Sequence, residues 1–286
     1  MKKLLSLVLM ASIGFGASAQ DKKFQVGLVL GPTFNWTKIQ TTKIERNGIG
    51  NGFTIGVGGN YMFNDNIGLA SGIQFDLESF KLNYGSTTNA ALGNIFYAYS
   101  DTDIQKYEEK DGVVKDFTDT TAFMLATRKF RAKYVTIPLF LKFQTNLIGQ
   151  FKYYGKFGMR TSILAGARTD DTGYDAYYNS TNGSFTQTSL SPRTQENMKP
   201  VSLKKDLALI RTGIGVYGGA EWNFTGSTFL YGELGFNYGI TPFISQTSAT
   251  LVEKTETGTA GVYDYKSLDI NNNPQHIIEF KIGLLF

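Results

Sequence analysis

Eight segments of the chain alternate apolar and polar residues with a period of two, which is typical of β-strands that have one apolar face. In the last segment, HIIEFKIGLLF, Phe280, Ile282 and Leu284 share one face, and Glu279 and Lys281 share the other. Each segment is at least as long as the roughly 9–11 residues that a tilted strand needs to cross a bilayer. The predicted strands are 24–36, 52–63, 67–78, 133–143, 151–163, 210–224, 230–241 and 276–286.

The connections between these strands alternate between short and long. Three are short turns with the sequences NDN, TNLIGQ and TGS. This layout predicts an all-β fold, an eight-stranded antiparallel up-and-down transmembrane β-barrel with short periplasmic turns and long extracellular loops. Because a lipid-exposed backbone must satisfy its hydrogen bonds internally, the last strand is expected to pair with the first. The four predicted loops are 37–49, 84–132, 168–205 and 244–274.

The charged residues of the strands lie opposite the apolar residues. In a transmembrane barrel the apolar face contacts lipid, so the charged face lines the interior. The lumen of an eight-stranded barrel is only wide enough for side chains. Since isolated buried charges are costly, we expect these charges to pair and to plug the lumen. The predicted interior charge network comprises Asp76, Glu78, Lys142, Lys152, Lys156, Arg160, Arg211, Glu221, Glu233, Glu279 and Lys281.

The N-terminus has the features of a secretory signal peptide. Lys2 and Lys3 precede an apolar run, and the small residues at 17–19 favour cleavage directly after them. We therefore predict a signal peptide at 1–19, one outer-membrane β-barrel domain at 20–286, and an integral outer-membrane location.

Composition excludes several classes of function. The formal net charge of +4 over 286 residues is small and scattered, which disfavours nucleic-acid binding. The chain has no cysteine, so disulfides, thiolate chemistry and a lipid anchor on an N-terminal cysteine are excluded. Beyond the predicted signal peptide there is no run of 18 apolar residues, so no transmembrane helix is predicted.

The segment KYVTIPLFLKF at 133–143 resembles the Tyr-x-x-Ile-Pro-Leu-x-x-Lys strand of PorT-like outer-membrane β-barrel proteins. The end of the signal peptide and the terminal aromatic residue are similar to that family as well. The resemblance implies an outer-membrane barrel whose last strand is read by the barrel-assembly machinery during insertion. One member type serves in protein secretion, and the family supplies no catalytic residues. The implied C-terminal insertion signal consists of Phe286, Leu284, Ile282 and Phe280.

Two motifs could carry chemistry. His276, the only histidine, could serve a hydrolase or acyltransferase at the outer rim. No nucleophile is marked, however, so a polar residue at the membrane boundary is favoured. Asp170, Asp171 and Asp175 could bind Ca²⁺ in a loop. Because they lack the regular spacing of a calcium loop, a solvated loop is favoured.

Two further features are interpreted structurally. GIGVYG at 213–218 matches the dinucleotide-binding glycine pattern, but it continues as an alternating strand, so the match is interpreted as accidental. Pro138 lies inside a predicted strand, where it cannot donate a hydrogen bond. A β-bulge is therefore expected at that position.

Aromatic residues lie at the strand ends and in the long loops. At the strand ends we expect interfacial girdles. In the loops they could form a contact surface for a protein or glycan, or they could cap the barrel by packing on each other. The girdle candidates are Trp36, Tyr61, Tyr153, Trp222 and Tyr238. The loop aromatics are Phe96, Tyr97, Tyr99, Tyr107, Phe117, Phe123, Tyr174, Tyr177 and Tyr178.

These observations favour a non-enzymatic outer-membrane protein with a plugged interior that acts through its loops, as a surface anchor, an adhesin-like protein or an accessory component. The expected partners are outer-membrane lipid, the barrel-assembly machinery during insertion, and a protein or glycan at the loops; neither nucleic acid nor a cofactor is expected. The alternative, based on the PorT-like resemblance, is an accessory component of protein secretion or envelope assembly. A rim enzyme using His276 and a small pore are less favoured.

Overall fold

The computed structural model describes residues 23–39, 43–84, 94–110, 113–115, 120–200, 206–257, 259, 261–270 and 273–286. The predicted signal peptide and Phe117 lie outside these residues. Within the described part of the chain, no helix is long and apolar enough to cross a membrane.

Seventeen β-strands form the described structure, and fifteen of them belong to one sheet. The strands are β1 Phe24–Thr37, β2 Ile44–Arg46, β3 Gly50–Met62, β4 Ile67–Tyr84, β5 Ile95–Ser100, β6 Asp103–Ile104, β7 Glu108–Lys110, β8 Val113–Lys115, β9 Thr120–Gln144, β10 Phe151–Asn179, β11 Ser184–Gln187, β12 Arg193–Pro200, β13 Ile210–Thr225, β14 Thr228–Gly239, β15 Thr247–Glu256, β16 Tyr263–Asp269 and β17 Gln275–Leu285.

Antiparallel ladders join β1, β3, β4, β9, β10, β13, β14 and β17 in this order, and a last ladder joins β17 back to β1. We call this closed path the ring. Following paired residues once around the ring from Gln25 leads to Asn35, a stagger of ten residues. A stagger of that size over these strands corresponds to a strand tilt of about 40°.

The period of two places apolar side chains outside the ring and polar side chains inside it. Phe75 and Met159 are 48% and 50% exposed, whereas the next residues, Asp76 and Arg160, are 1% and 4% exposed. The ring is therefore apolar outside and polar inside, the reverse of a soluble barrel.

The long connections, which the sequence predicts as loops, contain β-strands. Strands β9 and β10 are 25 and 29 residues long and pair with each other from Gln144 and Tyr154 to Thr120 and Tyr178. They extend far beyond the ring, and β2, β5, β6, β11, β12, β15 and β16 add to the same sheet. The prediction missed these strands because they are short or continue beyond the apolar pattern. We call the described residues of 38–49, 80–132, 165–209 and 240–274 the cap.

The cap has a hydrophobic core of its own, made of two clusters of buried side chains. Phe80 stacks on Phe130 at 4.7 Å between ring centroids and meets Phe243 edge-on at 4.5 Å. Most of the loop aromatics thus pack on each other, the second of the two alternatives. Phe96, Tyr97, Tyr107, Phe123 and Tyr178 are buried, Tyr99 and Tyr174 are half-buried, and Tyr177 is exposed.

The predicted bulge at Pro138 is wrong. Pro138 pairs with Arg160 without a shift in register, and the β4–β9 ladder is interrupted at Pro138 and Ile137 but resumes in the same register. The β9–β10 ladder shifts register further out, at Ala165 on β10 and at Ala126 on β9. Each bulge exchanges the inward and outward faces of its own strand, the first at the start of the cap and the second inside it.

Candidate functional site

The ring interior nearest the short turns contains two ion pairs. Lys142 on β9 pairs with Glu221 on β13, and both side chains are fully buried. The Nζ of Lys156 lies 2.5 Å from a carboxylate oxygen of Glu233. Lys142 and Lys156 are direct cross-strand neighbours, an arrangement in which like charges repel. A carboxylate from another strand neutralises each of them. The two pairs connect β9 with β13 and β10 with β14, and neither of these pairs of strands is adjacent in the ring.

The centre of the interior is built around Arg160. Its Nη2 lies 2.6 Å from Asp76 and 2.9 Å from Glu279, so one guanidinium connects two carboxylates. The Nζ of Lys281 lies 2.6 Å from Glu279, and the Tyr217 hydroxyl donates a hydrogen bond of 2.7 Å to the same carboxylate. Because the charges are desolvated, this network depends on the presence of every partner.

The interior nearest the cap is closed by Arg211. Its guanidinium donates to both carboxylate oxygens of Glu78 and to the side-chain oxygen of Gln275. It also lies over the ring of Tyr134, 3.8 Å from the centroid. Bidentate contact with a carboxylate and stacking on an aromatic ring suit arginine and not lysine.

Ten of the eleven predicted interior charges therefore lie in ion pairs. The exception is Lys152, for which the described residues provide no ion pair. Its Nζ lies 5.2 Å from the centroid of the Phe229 ring near the short turns.

The interior contains small cavities, among them one of about 20 Å³ and one of about 40 Å³. The larger is lined by Lys156, Glu221 and Glu233 among others. Cavities of this size hold from one to a few water molecules. A site for a drug-sized ligand needs about 300 Å³ or more, so neither of these two cavities has room for one.

Tyrosine rings fill space over glycines in the ring interior. Tyr217 lies directly across from Gly235, and a Cβ at Gly235 would overlap its ring. Tyr231 likewise lies directly across from Gly283, and a Cβ at Gly283 would overlap its ring. The sequence contains a signal for these contacts, because Tyr217 and Tyr231 stand on the polar, inward-facing side of their alternating strands.

In the cap, arginines pair with the aspartates that were considered for Ca²⁺. Arg128 donates two hydrogen bonds of 2.8 Å to Asp171, and both residues are buried. Burial lowers the pKa of Arg128, but the charge and hydrogen bonds of Asp171 outweigh burial and raise it above its ordinary value. Arg128 therefore stays protonated.

The other two aspartates also have arginine partners. Asp170 lies 2.6 Å from Arg131, and Asp175 lies 2.6 Å from Arg193. All three aspartates belong to β10, so the predicted solvated loop is wrong. No group of three or more potential metal ligands lies together in the described part of the chain.

The C-terminal residue closes the seam between β17 and β1. Phe286 accepts a backbone hydrogen bond from Val26 at 3.2 Å and donates one to Val26 at 2.8 Å. Its side chain is exposed on the outside of the ring, as are those of Phe280, Ile282 and Leu284.

Residues 18–245 match the family model of the outer membrane protein beta-barrel domain. The match covers most of the chain. The protein belongs to this family. The family and the closed ring together confirm an all-β fold of the outer-membrane barrel type, and they support an outer-membrane location. No curated protein matches the chain.

Several solved outer-membrane proteins are similar to this barrel. Ail of Yersinia pestis is 10% identical, with 92% of this chain and 99% of Ail covered and a TM-score of 0.34. OprG of Pseudomonas aeruginosa is 8% identical, with 92% and 96% covered and a TM-score of 0.41. Neisserial surface protein A is 12% identical, with 92% and 95% covered and a TM-score of 0.31. TM-scores of this size do not establish a shared fold, so the assignment depends on the family match.

The motif that resembles PorT-like proteins has a structural role in the barrel. Tyr134 lies under the guanidinium of Arg211, and Lys142 pairs with Glu221. Both motif residues thus point into the interior. These contacts give the motif a role in barrel packing.

His276 lies among aromatic rings on the outside of the barrel. Its ring is 4.6 Å from Tyr238, 5.9 Å from Trp36 and 6.3 Å from Phe236, measured between centroids. Within the described residues its Nδ1 has no hydrogen-bond partner, so no carboxylate orients it as a general base. The glycine motif at 213–218 lies inside β13 and opens no helix.

The remaining girdle candidates lie near the short turns. Trp222 stacks on Phe151 with centroids 6.5 Å apart, and Tyr61 and Tyr153 are about half exposed. Phe24 also lies at this end of β1, and the rise from there to Trp36 is about 30 Å at the strand tilt. Two aromatic belts at that separation suit the two faces of a bilayer.

Proposed function

We propose that this protein is an eight-stranded transmembrane barrel that serves as a non-enzymatic surface anchor and presents the cap outside the cell. The ring spans the outer membrane, with both chain ends and the short turns in the periplasm. The observation that carries this proposal is the continuity of β9 and β10. They run without interruption from the apolar-faced ring into a cap with its own hydrophobic core.

The filled interior supports an anchor over a pore. Successive ion-paired layers occupy the lumen, and the described cavities are only large enough for water. The network also stiffens the barrel, so the cap is held in one orientation.

The partner of the cap is a protein or a glycan, and the exposed apolar side chains of the cap are its contact points. Tyr177 and Tyr263 are 41% and 43% exposed, Val262 is 51% exposed and Leu190 is 90% exposed. Aromatic side chains provide large contact area and can stack on sugars or apolar groups.

Single-cysteine labelling tests the orientation without background, because the chain has no cysteine of its own. A membrane-impermeant maleimide should label Leu190→Cys on intact cells. It should label Asn146→Cys, in the short turn after β9, only after the outer membrane is permeabilised. The reverse pattern would overturn the proposed orientation.

Binding through the cap is tested with substitutions that leave its core intact. Deleting 84–132 would remove core residues such as Phe123, so exposed positions are the better targets. Cells that display Tyr177→Ser, Leu190→Ser and Tyr263→Ser together should lose adhesion to immobilised glycans and proteins that the unaltered protein binds. Ser180→Ala, Asn182→Ala and Thr186→Ala together provide the matched control. Full adhesion by the first variant would contradict the proposed contact surface.

An accessory role in secretion is the second candidate, and it is supported by the PorT-like strand alone. Its direct test is deletion of the gene. Retention of other exported proteins in the periplasm would support this role over the anchor.

A further inference from the structure

A cluster of cations lies on the outer wall of β4, β9 and β10, where the ring continues into the cap. Along β9, the outward positions change from the apolar residues Leu139, Ile137 and Val135 to three cations in succession. Outward-facing cations of β4 and β10 flank them. We call these five residues the cationic patch: Lys81, Lys129, Arg131, Lys133 and Arg168.

The patch places like charges directly opposite each other. Lys81 pairs in register with Lys129, and Arg131 pairs in register with Arg168. Like charges at such positions destabilise a sheet. Folding alone therefore does not explain why the cations are concentrated here, and a bound anion would remove the repulsion.

The nearby acids compensate only part of this charge. Asp170 lies across from Lys129 and pairs with Arg131 at 2.6 Å. Glu45 lies across from Asn83, beyond Lys81 on the same side of the sheet. Against these two carboxylates stand five cations. Lys81, Lys129, Lys133 and Arg168 are partly or fully exposed, and none of them has an ion pair within the described residues.

The height of the patch suits lipid headgroups. At the tilt of the ring, two residues along a strand rise about 5 Å. On β9 the patch begins with Lys133, about 10 Å above the exposed residue Ile137, and ends with Lys129, about 20 Å above it; on β4, Lys81 lies about 10 Å above Leu77. Across the ring, the aromatic cluster of Trp36 and Tyr238 marks a similar level.

We propose that the cationic patch binds the phosphates of a glycolipid in the outer leaflet. Guanidinium and ammonium groups are the side chains that bind phosphate, arginine in a bidentate fashion. The apolar wall directly below the patch would contact the acyl chains of the same molecule. A soluble anion could contact only the charges, whereas a lipid could contact both the charges and the apolar wall, so charge and position together favour a lipid. This inference depends on the proposed orientation in the membrane.

Native mass spectrometry of the full-length protein in detergent, titrated with diphosphoryl lipid A, tests the site. The test variant combines Lys129→Gln, Lys133→Gln and Arg168→Gln. The control combines Lys23→Gln, Lys38→Gln and Lys266→Gln, which removes the same charge from exposed positions elsewhere. The test variant should bind diphosphoryl lipid A at least about tenfold more weakly than the unaltered protein, because each Lys or Arg near an anionic surface contributes to the free energy of binding. The control should bind as the unaltered protein does.

Two further arms identify the ligand. Lipid A from which both phosphates have been removed should bind the unaltered protein as weakly as diphosphoryl lipid A binds the test variant. Excess inorganic phosphate should leave diphosphoryl lipid A bound, because it cannot replace the acyl contacts. Equal binding by the test variant, equal loss in the control, or displacement by inorganic phosphate would each overturn the proposal.

Heat-modifiable gel migration, measured for every variant, separates this inference from the proposed function. If the test variant remains a folded barrel and keeps its affinity, the lipid site is wrong and the anchor stands. If the unaltered protein does not migrate as a folded barrel, the proposed transmembrane barrel itself is wrong.

Discussion

At the scale of single residues, the barrel interior depends on glycines that admit aromatic rings. The Tyr217 ring covers Gly235, and its hydroxyl donates to Glu279 in the central ion cluster. A methyl group at Gly235 must displace this ring, which would move the hydroxyl away from its acceptor. The glycine therefore positions a hydrogen bond as well as leaving space.

We expect Gly235→Ala to lower the free energy of unfolding by about 1–3 kcal/mol, as overpacking of a filled interior does. Gly232→Ala on the same strand is the matched control, because a Cβ there meets no atom within 4 Å. Urea unfolding in phospholipid bilayers measures both. Equal stability of the two variants would show that Tyr217 can move without cost.

The charged residues of the interior are expected to differ strongly in importance. Arg160 is 4% exposed and connects two carboxylates, so Arg160→Leu should cost about 3–5 kcal/mol by leaving Asp76 without its cation. Lys152 has no ion pair within the described residues, so Lys152→Leu should change stability by no more than about 0.5 kcal/mol. The same unfolding assay compares the two variants. A similar loss of stability in both would contradict the importance of the ion pairs of Arg160.

At the scale of elements, the last residue of the chain extends the pairing that closes the ring. Phe286 exchanges two backbone hydrogen bonds with Val26 and exposes its ring outside the barrel. Substitution of the side chain leaves the backbone bonds in place. It therefore separates the role of the aromatic ring from that of closure.

Phe286→Ala should lower the amount of protein inserted in the outer membrane several-fold, and Phe286→Tyr should retain it. The reason is that the terminal aromatic ring is proposed to be read during assembly, and tyrosine preserves it. The heat-modifiable fraction of isolated outer membranes measures insertion. Normal levels of the alanine variant would contradict a role for the ring as an insertion signal.

How far the sequence predicts an element depends on whether its period is preserved. Strand β17 keeps strict alternation from Ile278 to Leu284, so its two faces are predicted from the sequence. In β10, the shift around Ala165 exchanges the faces, and the pattern stops being readable although the strand continues to Asn179. The cap strands pair with partners distant in sequence, such as Phe96 with Val252, and no local pattern encodes such pairing.

At the scale of the whole molecule, the same sheet has two kinds of core. Inside the ring the core is ionic, because the apolar faces are turned outward. Inside the cap two clusters of buried aromatic and aliphatic side chains form the core. The bulge at Ala165 lies at the boundary between the two cores, and the bulge at Ala126 lies within the cap.

The ionic core also determines permeability. Lys142 and Glu221 form one layer, and the layers around Arg160 and Arg211 lie beyond it toward the cap. We expect no stepwise conductance in planar bilayers from the unaltered protein. The double variant Lys142→Ala and Glu221→Ala should also stay closed, because the remaining layers still fill the lumen. A general porin in the same bilayers is the positive control. Current steps from the unaltered protein would show that ions pass through the interior, and the plugged anchor would then be wrong.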